Sequence, residues 1–465
     1  MAVLVRQAIP EGISGGSAGE VRNRRAFAAL RSDGSVVCWG DPAQGGDSSS
    51  VAALLSSGVE QIFSSSQAFA ALRNDGGVVT WGNGASGGDS SAVAAQLRSG
   101  VVQIFSTQHA FAALKADGSV VTWGAAASGG DSSAVAAQLA GGVSRIFATR
   151  DGAFAALKQD GSVVTWGAAA AGGDSRSVRG RLAGNVSQIY ASQRAFAALK
   201  SDGSVVCWGD PDYGGDNSAV AASLAPGAIK IVANVYAFAA LKSDATVVYW
   251  GYPAFGFRLD LPAEKARDIQ QIAATDSAFA ARRADGSVVT WGYWMLFNKY
   301  GLQRGITADV APGLSSSVEW VFANSEAFVA LKRDGSLVSW ETANTNGGNS
   351  SAVIDAISVD VRTVFANAQA FAALKRDGSV VSWGNPASGG DSSAVAASLR
   401  SGVTQIFSTE AAFAALRGDG SVATWGDGGA GGDSRALAAQ LQNVVSFADP
   451  LSDDRLVPDP HAFTP

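Results

Sequence analysis

Short apolar runs alternate with turn residues at a fixed period along most of the chain. One unit reads Val101-Val102-Gln103-Ile104-Phe105, Ala110-Phe111-Ala112-Ala113-Leu114, Asp117-Gly118, Ser119-Val120-Val121-Thr122-Trp123-Gly124, and then Gly129-Gly130-Asp131-Ser132-Ser133. Runs this brief, bounded by turn residues, predict three strands. The Asp-Gly pair predicts a tight hairpin between the second and third strands, since both residues tolerate positive φ. Apolar residues at successive positions predict sheets covered on both faces, as in stacked blades. Ala112 and Ala113 leave room for Phe111, Trp123 and their counterparts. The following run up to Leu139, with a capping serine, alanines and a terminal glycine, predicts a short helix of about two turns, with a fourth strand as the alternative.

Tryptophan marks the period, at Trp39, Trp81, Trp123, Trp166, Trp208, Trp250, Trp291, Trp340, Trp383 and Trp425, with spacings of 42, 42, 43, 42, 42, 41, 49, 43 and 42 residues. Ten landmarks at this regularity predict an all-β fold, a β-propeller of ten short repeats of about 42 residues. The first copy starts at Ala26 without its first strand, and Asn443-Val444-Val445-Ser446-Phe447 supplies that strand with no hairpin after it. The complementary ends predict ring closure, with the last strand beside Ala26 to Leu30. A seven-bladed ring with three extra units, or an open superhelix, is the alternative. The organisation expected is an N-terminal segment, residues 1–25, the propeller, residues 26–448, and a Pro-rich tail, residues 449–465.

Charge narrows the partners. A formal net charge of -6 and a pI near 5.1 argue against nucleic acid or an anionic membrane surface, which attract clustered Lys and Arg. No run approaches the length of a membrane span, and none near the start reads as a signal peptide, so the expected setting is intracellular, cytoplasmic or nuclear. Cys38 and Cys207 stand where Thr80, Thr122 and Thr165 stand in other copies, as strand filler, and four copies separate them.

Catalytic material is scarce. His109 and His461 are isolated, and His109 reads as an exposed loop residue equivalent to Gln67 and Arg194. The Gly-Gly-Asp turns carry Asp47, Asp89, Asp131, Asp174, Asp216, Asp391 and Asp433, with Asn349 in copy eight. One acid per turn around a wide ring does not converge on a cation, so helix capping by the acid or the serine after it is the reading. No cofactor, metal or catalytic residue is expected.

The pattern breaks in copies six to eight. Ala245 replaces the hairpin glycine, at a cost on the order of 1 kcal/mol if φ stays positive. Tyr252, Phe255 and Phe257 occupy the turn of copy six, and Tyr293, Trp294, Phe297 and Tyr300 the loop of copy seven, seven residues longer; Trp320 lies just beyond. Loops at one repeat position share a rim, so these eight aromatics are the candidate partner-binding residues. The alternative is a plug in which the longer loop buries its own aromatics.

The block Ala-Leu-Lys-x-Asp-Gly-Ser-Val-x-x-Trp-Gly followed by Gly-Gly resembles the repeat of the regulator of chromosome condensation family, over about residues 26–448. That resemblance implies a β-propeller; the family includes guanine-nucleotide exchange factors, arms of HECT-type ubiquitin ligases, the plant UV-B photoreceptor and a bacterial β-lactamase inhibitory protein with similarly short blades. The family repeat is usually longer and carries a His where Ala68, Ala110 and Ala195 stand here. No functional residue carries over. The expected function is a non-catalytic scaffold that binds a protein or peptide. The rivals are a nucleotide exchange factor for a small GTPase and the substrate-recruiting propeller of a ubiquitin-ligase-like assembly.

Overall fold

A computed structural model of the chain describes residues 21–224, 227–251, 266–292, 295–298, 301–304, 313–341, 347 and 349–448. Among them are ten three-stranded antiparallel sheets, one per tryptophan landmark. In blade 3 the inner strand Val101–Ser106 pairs with the middle strand Ala110–Lys115, which pairs with the outer strand Val120–Gly124. Inner strands of successive blades lie beside one another and line the centre of the ring. The inner strand bulges between its first and third residues, and the bulged Val102, Ile229 and Val445 are exposed.

Packing between blades follows from residue size. Phe111 opposes Trp123 across the strands, and their rings stack at 5.3 Å. Fully buried alanines such as Ala112 and Ala113 let the neighbouring sheet approach. Ten buried apolar clusters, each shared by two adjacent blades, run around the ring. The last joins Phe27 and Trp39 of blade 1 to Ala412, Ala414 and Leu416 of blade 10.

The two ends of the chain build one sheet. Val444–Phe447 pairs antiparallel with Ala26–Arg31, placing Phe447 opposite Ala29, as the complementary ends predict. Phe447 is buried 6.0 Å from Phe27, 5.9 Å from Trp39 and 4.4 Å from Phe407, ring to ring. The fold is therefore a closed ten-bladed β-propeller, which leaves no blade without a neighbour on either side.

Two local expectations are corrected. The hairpin is a type I turn followed by one left-handed residue: Gly118 donates to the Lys115 carbonyl and has φ 77°, whereas Asp117 is absent from the positive-φ residues. The acid works through its side chain, accepting from the Ser119 N–H at 2.9 Å and hydroxyl at 2.6 Å. Ala245 takes φ 61° at the glycine position, so the turn keeps its type in copy six.

The connector is not a two-turn helix. It forms single 3-10 turns, Ala126–Ser128 and Ser133–Val135, and among the described residues an α-helical turn occurs only at Ala221–Leu224. The outer strand competes for the connector's backbone: Val120 N–H donates to the Leu139 carbonyl at 3.0 Å, and Leu139 is buried. This covers the edge of the sheet at the expense of helix continuation. Asp131 accepts from the Ser133 N–H at 2.8 Å, so the acid caps the turn, and Ser132 instead meets the Thr122 hydroxyl.

Candidate partner-binding rim

The ring has two unlike rims. The lower rim carries the Asp-Gly hairpins and the equivalent Asp244-Ala245 turn, where the acid accepts from the residue two on, a serine in most copies, Thr246 in copy six and the Gly77 N–H in copy two. Those bonds hold the Asp117, Asp160 and Asp202 carboxyls below the usual range. The adjacent lysines reach the preceding connector, Lys115 Nζ donating to the Gln96 carbonyl at 3.1 Å and Lys158 Nζ to Gln138 at 3.1 Å. Polar groups on this rim are engaged within or between neighbouring copies in a repeating pattern.

On the upper rim the inner strand turns into the middle strand, and the loop after each Trp-Gly leaves beside that turn. A Ser, Thr or Asn at the turn accepts from the N–H three or four residues on, as Thr107 Oγ1 does from Ala110 at 3.1 Å. Backbone bonds then link successive turns: Arg24 N–H to the Ser66 carbonyl (3.0 Å), Ser66 to Gln108 (3.1 Å), Gln193 to Val235 (3.3 Å) and Asp276 to Ser325 (3.0 Å). The belt fixes one turn against the next, so side chains about one repeat apart in sequence become neighbours.

Blades 4 to 6 use this placement. Asp151 occupies a one-residue extension of its turn and accepts from Gln193 Nε2 at 3.0 Å and Arg194 Nε at 2.7 Å. Arg194 also lies 3.8 Å from Asp210, and its guanidinium carbon sits 5.1 Å from the Tyr213 ring centroid. Tyr213 meets Tyr236 of the next blade at 5.3 Å. The hydrogen bond that Arg194 donates to Asp151 raises the Arg194 pKa, and burial, followed by Tyr213 and Asp276, raises that of Tyr236. Arg194 thus stays charged and Tyr236 protonated at neutral pH. The strip presents a fixed cation, carboxylates and aromatic rings to solvent.

His109, two blades before Tyr213, is half-buried rather than exposed. Its Nδ1 lies 3.0 Å from Ser86 Oγ; burial and then the Arg24 charge hold its pKa down, with Asp151 opposing. Cys38 and Cys207 are free thiols, and burial pushes Cys38 up to about 12 and Cys207 up as well, which leaves both unreactive. Among the described residues no group of three or more His, Cys, Asp or Glu side chains is placed to hold a metal ion, and no helix is long and apolar enough to cross a membrane.

Of the aromatics singled out from the sequence, Tyr252, Phe255, Phe257, Tyr293, Trp294 and Tyr300 lie outside the described residues. Phe297 lies in a two-stranded ribbon, Met295–Asn298 with Gly301–Arg304, opposite Leu302. Trp320 is on the inner strand of blade 8, opposite Leu331, where other blades have Gln61, Gln103 or Gln188. It packs half-buried against the cluster between blades 8 and 9, away from the upper-rim loops. Asp151, Arg194, Tyr213 and Tyr236 were not selected from the sequence. The available signal was the extra residue in the turn of copy four and a tyrosine where other copies have Ser86, Ser128 or Ala171.

This geometry defines a non-repeating surface on a closed β-propeller. No protein-family model and no curated protein matches the chain. Solved structures that match include the CRINKLY WD40 ectodomain of the Arabidopsis thaliana receptor kinase ACR4, at 18% identity over 59% of this chain and 93% of that one, TM-score 0.30. Prp20p from Saccharomyces cerevisiae matches at 12% identity over 79% and 83%, TM-score 0.36. The computationally designed Ika8 protein matches at 11% over 80% and 99%, TM-score 0.31. The blade count and closure rest on this chain's own strand pairing and packing.

Proposed function

We propose that the protein is a non-catalytic scaffold that binds a protein partner through the upper rim of blades 4 to 8. The observation that carries this reading is the strip from Asp151 through Arg194 and Tyr213 to Tyr236. It mixes a positioned arginine with aromatic rings, the composition of interface hot spots. It runs toward Gly251 and Gly292, strand ends on the same rim, after which the sequence carries Tyr252, Phe255, Phe257, Tyr293, Trp294, Phe297 and Tyr300 as further candidates of the proposed surface. Among the described residues the lower rim repeats its internal bonds from copy to copy.

The test is affinity capture with quantitative mass spectrometry, using three chains in parallel: intact, Arg194→Ala/Tyr236→Ala, and a lower-rim control, Lys115→Ala/Asp117→Ala. Partners should be lost from the first variant and kept by the control. The same partners captured by all three chains would overturn the assignment. Small GTPases incubated with the intact chain should release nucleotide no faster; acceleration would favour exchange activity.

A further inference from the structure

The acid–serine bonds of the lower rim repeat, but the cations of one seam do not. Along each middle strand, alternate residues face opposite neighbours. Ala278 and Ala280 of blade 7 share a buried cluster with Phe328 and Ala330 of blade 8. Two residues further on, the same faces bring Arg282 of blade 7 and Lys332 of blade 8 to that seam. The seam between blades 3 and 4 shows the usual occupants: Leu114 is buried there, and Lys158 Nζ donates to the Gln138 carbonyl at 3.1 Å. All nine other copies have leucine where Arg282 stands.

A leucine facing the lysine stem has thus become cation facing cation. Arg282 is half-buried; its Nε is enclosed without a hydrogen bond, and its Nη1 reaches the Arg283 carbonyl at 3.5 Å, the limit of a hydrogen bond. Burial, and after it the Arg333 charge, hold the Arg282 pKa down, with Glu319 opposing. Lys115, Lys158, Lys200 and Lys375 each donate to a connector carbonyl. Among the described residues neither Lys332, at the same position, nor the exposed Arg333 beside it forms a side-chain hydrogen bond or a close ion pair. The hairpin acids at this edge are committed elsewhere, Asp285 accepting from the Ser287 N–H at 2.8 Å and Asp334 from the Ser336 N–H at 2.9 Å. Glu319 is the described carboxylate set against Arg282.

We infer that the seam between blades 7 and 8 on the lower rim is a phosphate-binding site, in which Arg282, Lys332 and Arg333 donate to the oxygens of one phosphate group. A planar guanidinium matches two such oxygens and an ammonium supplies a third donor. Phosphate carries a charge of about −1.5 to −2 near neutral pH, which answers three cations facing one acid more fully than a single carboxylate does. The site lies on the rim opposite the proposed partner surface and does not depend on it. The group it takes is the same whether phosphate arrives as the free ion or on a phosphorylated serine.

The experiment is isothermal titration of the intact chain at constant ionic strength, once with inorganic phosphate and once with the peptide Ala-Ala-phosphoserine-Ala-Ala, the unphosphorylated peptide being the blank. Heat of binding is expected with a phosphate probe, and the tighter of the two identifies the source. Arg282→Leu restores the residue of the other copies, and Arg333→Ser takes the residue found at Ser32 and Ser201. Each variant should weaken binding about tenfold or more, the loss of one charge-assisted hydrogen bond. Lys115→Ala, at a lysine already bonded to its connector, should leave binding unchanged. Phosphate should also raise the melting temperature of the intact chain and leave that of Arg282→Leu in place. The proposal is overturned if neither probe binds, if Arg282→Leu and Arg333→Ser bind like the intact chain, or if Lys115→Ala weakens binding as much as they do. An equal rise in melting temperature for the intact chain and Arg282→Leu would place the anion elsewhere and overturn it as well.

Discussion

Blades 3 and 7 contain the same three strands and the same stacked Phe–Trp pair, at 5.3 Å and 5.4 Å, and differ in what reaches the indole. Trp123 has the Gly87 carbonyl at 3.0 Å, whereas the equally buried Trp291 has no acceptor among the described residues. The contrast shows that blade interior and rim are separable. Stacking of strands sustains the ring even where the turn that accompanies it elsewhere has been replaced, and the replacement is where the surface stops repeating.

The contrast between interior and exposed positions is sharpest at the closing strand. Phe447→Asp buries an unpaired charge between blades 10 and 1 and should cost more than about 4 kcal/mol, with ring opening seen as a larger radius of gyration by small-angle scattering. Val445→Asp, on the exposed bulge of the same strand, should stay within about 0.5 kcal/mol. Equal melting of the two variants would mean that the closing strand does not hold the ring.

Next in size is the landmark tryptophan. Trp123→Ala should cost about 3 to 5 kcal/mol, the usual loss for a large buried aromatic. Trp291→Ala should cost about 1 kcal/mol less, because only the former loses a hydrogen bond. Equal losses in denaturant unfolding would break the distinction between an indole bonded to a glycine carbonyl and one with no acceptor among the described residues.

Repetition made the blades and their closure legible in the sequence. The Trp spacing set the count, and the missing strand before Ala26 matched the spare one at Val444 to Phe447. The connector misled because its alanines favour helix locally, while the outer strand's Val120 N–H draws the Leu139 carbonyl to the sheet edge, a tertiary demand that composition does not reveal. The Asp151–Arg194–Tyr213–Tyr236 strip was hidden for a related reason: its members become neighbours only when blades stack. Trp320 looked like a rim aromatic because it follows the long loop, and strand register places it on the inner strand.

A smaller effect tests the hairpins. Ala245→Gly should stabilise by about 1 kcal/mol, since Ala245 holds φ 61° where the other nine hairpins have glycine. No gain in thermal stability would show that copy six relieves the strain elsewhere.

The smallest is a pH dependence on the upper rim. His109 has a folded-state pKa below its ordinary 6.5, so the folded chain resists protonation; its contribution is complete above that value and is lost as pH falls through the folded pKa. His109→Gln keeps an acceptor for Ser86, as Gln67 does at 3.1 Å, and should flatten the stability profile between about pH 7 and 5. An unchanged profile would assign the acid sensitivity to other groups.

The most direct measurement grafts regularity onto the irregular sector: residues 293–317 of copy seven replaced by the sequence of residues 125–142, which closes the same gap between Gly292 and Val318 with seven residues fewer. The grafted chain should scatter as the same ring, supply a Gly-Gly carbonyl to the Trp340 indole, and lose the partner captured by the intact chain. An intact ring that still captures that partner with undiminished affinity would contradict the claim that binding resides where the repeat breaks.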